Sequence, residues 1–302
     1  MTLTDQFKKN RPDLSLGSLR TYTSIVRNLA KQMNIKIETP DDVIKHYKEI
    51  EKHLSDVVPK NRKTRLSALV VFIDKEAHAK DAVECFRRQM TDDGKEADKE
   101  ADEQKLTERQ KEGMMEYDEV MKMYRTLEQE VAPLMKRTAL DKKQFIKCQM
   151  YVLLSCLLLI PPRRSLDYTE FKLREIDPEK DNFMRTEKRK PFFVFNQFKT
   201  AHKYKQQKEE IPPKLKSIIT AWEKLNPHDW LLMNSKQTGK INATQLTNLL
   251  YGFFDKPVST SLLRHIYLSH KYKDMPALAD MRATATAMGH DLSTALQYVK
   301  KT

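Results

Sequence analysis

A chain of 302 residues with 39% hydrophobic side chains is long enough for one large domain or two ordinary ones, and too apolar for wholesale disorder. Its 55 Lys and Arg against 42 Asp and Glu leave a net charge of +13, which points to a polyanion: nucleic acid first, an anionic membrane surface second. Three cysteines (Cys85, Cys148, Cys156) without paired spacing exclude a disulfide framework and a cysteine zinc site. They place the protein in a reducing, intracellular compartment. No secretory signal opens the chain, and the longest apolar run, residues 151–160, is too short to span a bilayer, so no membrane partner is expected.

In chain order, residues 1–91 are basic and read as all-helical. "SLGSLRTYTSIVRNLAKQM" offers Ser15 or Ser18 as an N-cap and sets Leu19, Tyr22, Ile25, Val26 and Leu29 at helical spacing. "TPDDVIKHYKEIEKHL" has Thr39 as a cap, Pro40 in the first turn and acids behind it. "PKNRKTRLSALVVFIDKEA" opens a further helix with Lys60, Arg62, Lys63 and Arg65, a basic run suited to DNA phosphates. Four helices are expected in this module. Residues 92–115 are acidic, contain no aromatic residue and few apolar ones, and read as a solvated linker, helical in part at most. Residues 116–302 form a second basic module. Helices are expected over 116–130 and 138–160, a strand over 192–198, a partner strand over 205–211 with the turn at 201–204, and short helices beyond Pro213.

The chain has no CxxC pair, HExxH, GxxxxGK[ST] or GxGxxG, so zinc proteases, P-loop NTPases and dinucleotide enzymes find no support. No tight Asp/Glu cluster points to a two-metal nuclease, and neither a metal nor another cofactor is expected. Arg, Lys, His and Tyr on a basic chain remain, a set suited to metal-free attack on a phosphodiester.

Four segments, in order, carry a resemblance. "LIPPRRSLDYTEFKLREID" holds an arginine followed three residues later by an acid, a register that selects Arg164 and Asp167. "FNQFKTAHKYKQQKEEIP" is a hairpin carrying Lys199, with Lys203 and Lys205 beyond it as further DNA-facing cations. "STSLLRHIYLSH" holds Arg264 and His265, and "MGHDLSTALQYV" holds His290 and Tyr298. From residue 144 to 298 the chain resembles the catalytic domain of tyrosine recombinases, the phage-integrase family. The paired prolines of "PPRR" are similar to the branch carried by eukaryotic viruses and mobile elements. Residues 1–91 resemble, less specifically, the family's helical core-binding domain. The resemblance implies a mostly α protein with a small β-hairpin or sheet, built as a two-domain clamp on double-stranded DNA: a core-binding domain over 1–91 and a catalytic domain over 116–302.

The resemblance further implies roles. Arg164 and Arg264 clamp the scissile phosphate, Lys199 protonates the leaving 5′ oxygen, His290 donates to a phosphate oxygen, and Tyr298 attacks phosphorus. It implies a site-specific recombinase or integrase acting through a 3′-phosphotyrosine intermediate without metal or ATP, assembled on DNA as a homo-tetramer. The place of action would be the nucleus or a viral replication site. Two positions depart from the family pattern. Ser261 stands where the second box begins with His, a role that His265 could share, and His290 lies one residue closer to Tyr298 than in the family. The rivals are a type IB topoisomerase or resolvase, and a decayed recombinase that only binds DNA.

Overall fold

The computed structural model describes residues 2–289 and 291–298; the side chains of residues 99–102, 202, 294, 297 and 298 are not described. The protein is mostly helical with one small mixed sheet, and it divides into two compact units, residues 1–105 with 276–302 and residues 106–275. No described helix is long and apolar enough to cross a membrane.

The first unit opens with α1 (Leu3–Asn10), α2 (Leu16–Met33), α3 (Pro40–Lys45), α4 (Tyr47–Leu54), α5 (Pro59–Ile73) and α6 (Lys80–Asp102). Both predicted caps form. Ser15 accepts from the Ser18 amide at 3.1 Å, and Asp42 Oδ2 accepts from the Thr39 amide at 2.8 Å ahead of Pro40. Leu19, Val26 and Leu29 on α2 recur at helical spacing and enter a core with Phe7, Ile50, Leu54, Leu66, Leu69, Phe72 and Phe86. Asn10 donates to the Val71 and Phe72 carbonyls at 2.8 and 2.9 Å, satisfying acceptors in the last turn of α5 that no helix partner can reach.

The acidic stretch is more ordered than its composition predicts. α6 runs through it to Asp102, because Ala82, Phe86 and Asp93 fall on one helix face and the last of these is an acid with a partner. Asp93 is 3% exposed, and both its oxygens accept from Arg62 Nε at 3.0 Å. Arg62 also donates to the Ser55 carbonyl at 2.6 Å. Of the run expected on DNA, Arg62 is therefore turned inward to tie α5 to α6, while Lys60 and Lys63 are exposed. The Asp93→Ala variant is expected to lose about 3 kcal/mol, because a largely buried guanidinium then stands unpaired. An Arg62→Met, Asp93→Leu pair should recover most of that in denaturant unfolding.

The second unit starts with α7 (Glu108–Gly113), α8 (Tyr117–Val131) and α9 (Lys142–Leu158), the last two close to their predicted spans. Thr107 and Gln110 form a capping box on α7. At its end, a Cβ on Gly113 would stand 2.6 Å from Leu262 Cδ2 and 2.8 Å from the Pro257 carbonyl, so only glycine allows this approach. α9 is buried on all sides from Cys148 to Leu158 and forms the spine of the core. Gln149 pairs with the Met233 backbone as a strand would, donating to its carbonyl at 3.0 Å and accepting from its amide at 2.7 Å.

After α10 (Ser165–Thr169) comes a four-stranded sheet in the order β1 (Phe171–Lys172), β2 (Asn182–Glu187), β3 (Lys190–Phe195), β4 (Gln207–Glu210). β1 and β2 are parallel; β2–β3 and β3–β4 are antiparallel, with Phe192 opposite Glu210 and Phe195 opposite Gln207. The predicted hairpin is therefore present, its turn holding the one-turn helix α11 (Ala201–Tyr204). The two strands ahead of it carry Asn, Glu, Lys and Arg among few apolar residues, and their sequence gave no strand signal. Phe171, Phe193 and Phe195 pack edge to face under the sheet. α12 (Pro213–Leu225), α13 (Ala243–Phe254) and α14 (Thr260–Lys271) complete the unit. The chain then returns to the first unit with α15 (Leu278–Ala287) and α16 (Leu292–Tyr298), separated by Gly289 at φ +74°, a left-handed turn that favours glycine.

Candidate active site

Pro161 and Pro162 stop α9, because a proline lacks the amide a helix needs and pushes its predecessor to extended backbone. The extended chain that follows sends neighbouring side chains to opposite sides, and this splits the tandem arginines. Arg163 turns inward. Its guanidinium lies over the Phe195 ring at 4.0 Å, donates through Nε to Asp167 Oδ2 at 2.6 Å and reaches Gln207 Oε1 at 2.9 Å. Arg164, the residue before α10, is exposed, and its side chain makes no hydrogen bond or ion pair among the described residues.

The acid of the first box is thus matched to Arg163 rather than Arg164. Asp167 is 3% exposed, and its Oδ1 has no hydrogen-bond partner. Burial raises its carboxyl above the usual range, against the charges of Arg163 and, more weakly, Arg164.

Two contacts fix this segment. The Tyr168 hydroxyl donates to the Cys156 carbonyl at 2.9 Å, holding α10 against α9. Ser165 Oγ and Thr260 Oγ1 meet at 2.8 Å, joining the start of α10 to the start of α14. One turn into α14 stands Arg264, half-buried. Arg164 and Arg264, far apart in sequence, thereby line one cleft of about 340 Å³, with Arg163 and Asp167 on its wall.

The opposite wall is the β3–β4 connection. Phe198, Thr200 and Tyr204 line the cleft, with Gln207 and Glu209 from β4. Asn182 anchors this connection from below. It is fully buried, donates to the Asp167 and Gln197 carbonyls at 2.9 and 2.8 Å, and accepts from the Asn196 and Gln197 amides at 2.8 and 2.7 Å. Lys199 stands between two lining residues, but its own side chain is exposed and outside the lining. Lys203 lies 5.2 Å from the Tyr204 ring, and Lys205 is exposed on the outer side of the turn. Three guanidiniums against two carboxylates leave the cleft cationic.

The chain matches no family model and no curated protein. What the site can do is carried by its geometry.

The remaining predicted residues fall elsewhere. Ser261 is exposed in the first turn of α14 and does not line the cleft. His265 is exposed beside it, with Nε2 at 3.2 Å from Gln110 Nε2 on α7. His290 lies outside the described residues. Tyr298 ends α16, and its side chain is likewise outside them. Among the described residues no group of three His, Cys, Asp or Glu is placed to hold a metal ion.

The sequence reading missed Arg163, Thr200, Tyr204, Glu209 and Asn182. Only Arg163 had a readable signal: in a tandem pair on extended chain, one member must face the core. Two unpaired guanidiniums in one cleft form a fork for a tetrahedral dianion or phosphodiester, the geometry a planar five-donor cation serves best.

Proposed function

We propose that the cleft seats the scissile phosphodiester of double-stranded DNA and that the chain is a tyrosine-type site-specific recombinase or integrase. The observation that carries this reading is the meeting of Arg164 and Arg264, neither side chain with a partner among the described residues, beside the turn that holds Lys199. In the proposed reaction the two arginines hold the non-bridging oxygens and take up the charge that grows in the pentavalent transition state. The Tyr298 oxygen bonds to phosphorus as the phosphorus–O5′ bond breaks. The tyrosine gives up its proton, and Lys199, on a turn beside the cleft, supplies one to O5′. His290 donates to a phosphate oxygen. One ester replaces another, and the freed 5′ hydroxyl of a second duplex reverses the step to join a new partner. The helical unit adds a second DNA-contacting surface, and strand exchange between two duplexes calls for a tetramer. That same exchange separates a recombinase from a type IB topoisomerase.

A second reading is a DNA-binding protein that keeps the frame without the chemistry. Ser261 in place of the histidine favours it, as does the exposure of both Ser261 and His265 outside the cleft lining. The deciding experiment incubates the full chain with a nicked suicide duplex carrying the ends of its own DNA element and resolves the products under denaturing conditions. A protein–DNA species that survives denaturant and is lost on protease digestion is expected. Retarded DNA in native gels with no such species would leave only the binding reading.

A further inference from the structure

The first unit holds a second recess, of about 460 Å³, between α1 and α2. Lys8 from α1 and Arg20 and Arg27 from α2 line it, and no carboxylate does. All three cations are exposed, and none is ion-paired or hydrogen-bonded through its side chain among the described residues. Several other cations of the unit are paired. Arg11 pairs with Asp74 at 2.9 Å, Arg88 with Glu51 at 3.6 Å, Lys9 with Glu76 at 4.0 Å, and Arg62 with Asp93.

Thr23 also lines this recess. It is 6% exposed, and its Oγ1 is buried without a hydrogen-bond partner. A threonine inside a helix ordinarily turns its hydroxyl back to the carbonyl four residues earlier, as Thr21 does to Gly17 at 2.9 Å. Thr23 does not, and a buried donor left open is rare unless something outside the chain completes it.

We propose that this recess seats a backbone phosphate of duplex DNA. Thr23 donates to a non-bridging oxygen, and Lys8, Arg20 and Arg27 neutralise its charge. Arg20 and Arg27 are two helical turns apart, about 10 Å along α2, so a phosphate at Thr23 has one cation on each side. A phosphodiester projecting from a duplex can enter a recess between two helices, where a turn of the Thr23 side chain about its Cα–Cβ bond brings the covered hydroxyl to it; a plane of lipid headgroups meets only the exposed cations. The proposal rests on the reading of the chain as DNA-binding, and not on its being catalytic. It moves the principal phosphate contact of this unit from the α5 run to the α1–α2 recess.

The test is fluorescence anisotropy of the full chain on a labelled mixed-sequence duplex over a range of salt. The Arg20→Gln, Arg27→Gln pair is expected to weaken binding roughly tenfold or more and to flatten the plot of log affinity against log salt by roughly one to two, the share of the lost phosphate contacts. Lys36→Gln, which removes one positive charge from a residue paired with Glu38 at 2.9 Å, should leave the slope as it was. Thr23→Val should weaken binding roughly tenfold or more, the scale of one hydrogen bond to a charged group, while melting stays the same or rises. Thr23→Ser should bind as the natural chain does. If the double variant melts early, Lys8→Gln on the other helix carries the same test. Tight binding with an unchanged slope in the arginine and lysine variants would overturn the recess and leave the DNA reading standing. Failure to bind duplex, with binding to phosphatidylserine vesicles that the same variants weaken, would overturn both.

Discussion

Tyr298→Phe is expected to abolish the covalent protein–DNA species while DNA affinity and melting stay unchanged. Phenylalanine removes one hydroxyl and keeps the ring, so only chemistry needing that oxygen is lost. A phenol with an ordinary acidity near 10 is a poor nucleophile at neutral pH and needs positive charge beside it to favour the phenolate. In the proposed reaction that charge comes from the cationic cleft, and the cleft has a phenol of its own: Tyr204, 54% exposed on the β3–β4 turn, lines it directly. The paired experiment is therefore Tyr298→Phe against Tyr204→Phe on the same suicide duplex. Loss of adduct only in the first supports a nucleophile on α16. Loss only in the second would assign the attack to the turn, and the reading of the C-terminal box would be wrong. Loss of both adduct and binding in Tyr298→Phe would make that residue a packing residue.

The second large effect separates the two members of the tandem arginine. Arg264→Ala and Arg164→Ala should each slow adduct formation by roughly 10²–10³, the range seen when one transition-state donor is removed. Their melting should not change, because neither guanidinium is bonded to another of the described residues. Lysine at either position should restore little, since a point charge cannot bridge two oxygens as a planar fork does. Arg163→Ala should behave in the opposite way. It leaves the buried Asp167 without its ion pair and strips the face of Phe195. Unfolding stability should fall by about 3 kcal/mol or more, with adduct formation lost through the fold. Rates from single-turnover gels and midpoints from thermal melting distinguish the cases. An Arg164→Ala variant that melts early would show that the roles are exchanged.

These contrasts mark how far the sequence could be read. Helix spans followed from periodicity and caps: Ser15, Thr39 and the apolar spacing of α2 each had a local cause that the fold kept. The β3–β4 hairpin was legible because Phe192, Phe193, Val194 and Phe195 are bulky or β-branched and the partner alternates. β1 and β2 were not, because a polar strand draws its stability from its neighbours and leaves no pattern of its own. The acidic stretch misled because composition ignores phase: Asp93 sits on the inward face of α6, where Arg62 waits for it. In the site, Arg164 and Arg264 were picked out by the resemblance, but the partner of Asp167 could not be. Residues 163 and 164 are chemically identical, and only the direction of the extended chain decides which one turns to the core.

Asn182 gives the cleft a thermodynamic character. Its one amide group closes four backbone hydrogen bonds that tie β2 to two other stretches of chain, at Asp167 and at Asn196 and Gln197. The full set of four cannot close until α10, β2 and the end of β3 have all docked, and each left open afterwards would be a buried polar group without a partner. The rim that carries Lys199 and the wall that carries Arg164 therefore cannot be assembled one at a time. They appear together with the folded core and vanish with it. Placement of the side chains on this side of the cleft is thus inherited from the cooperative stability of the whole unit, and substitutions deep in α9 or the sheet will be felt as loss of cleft geometry before any residue of the cleft is touched.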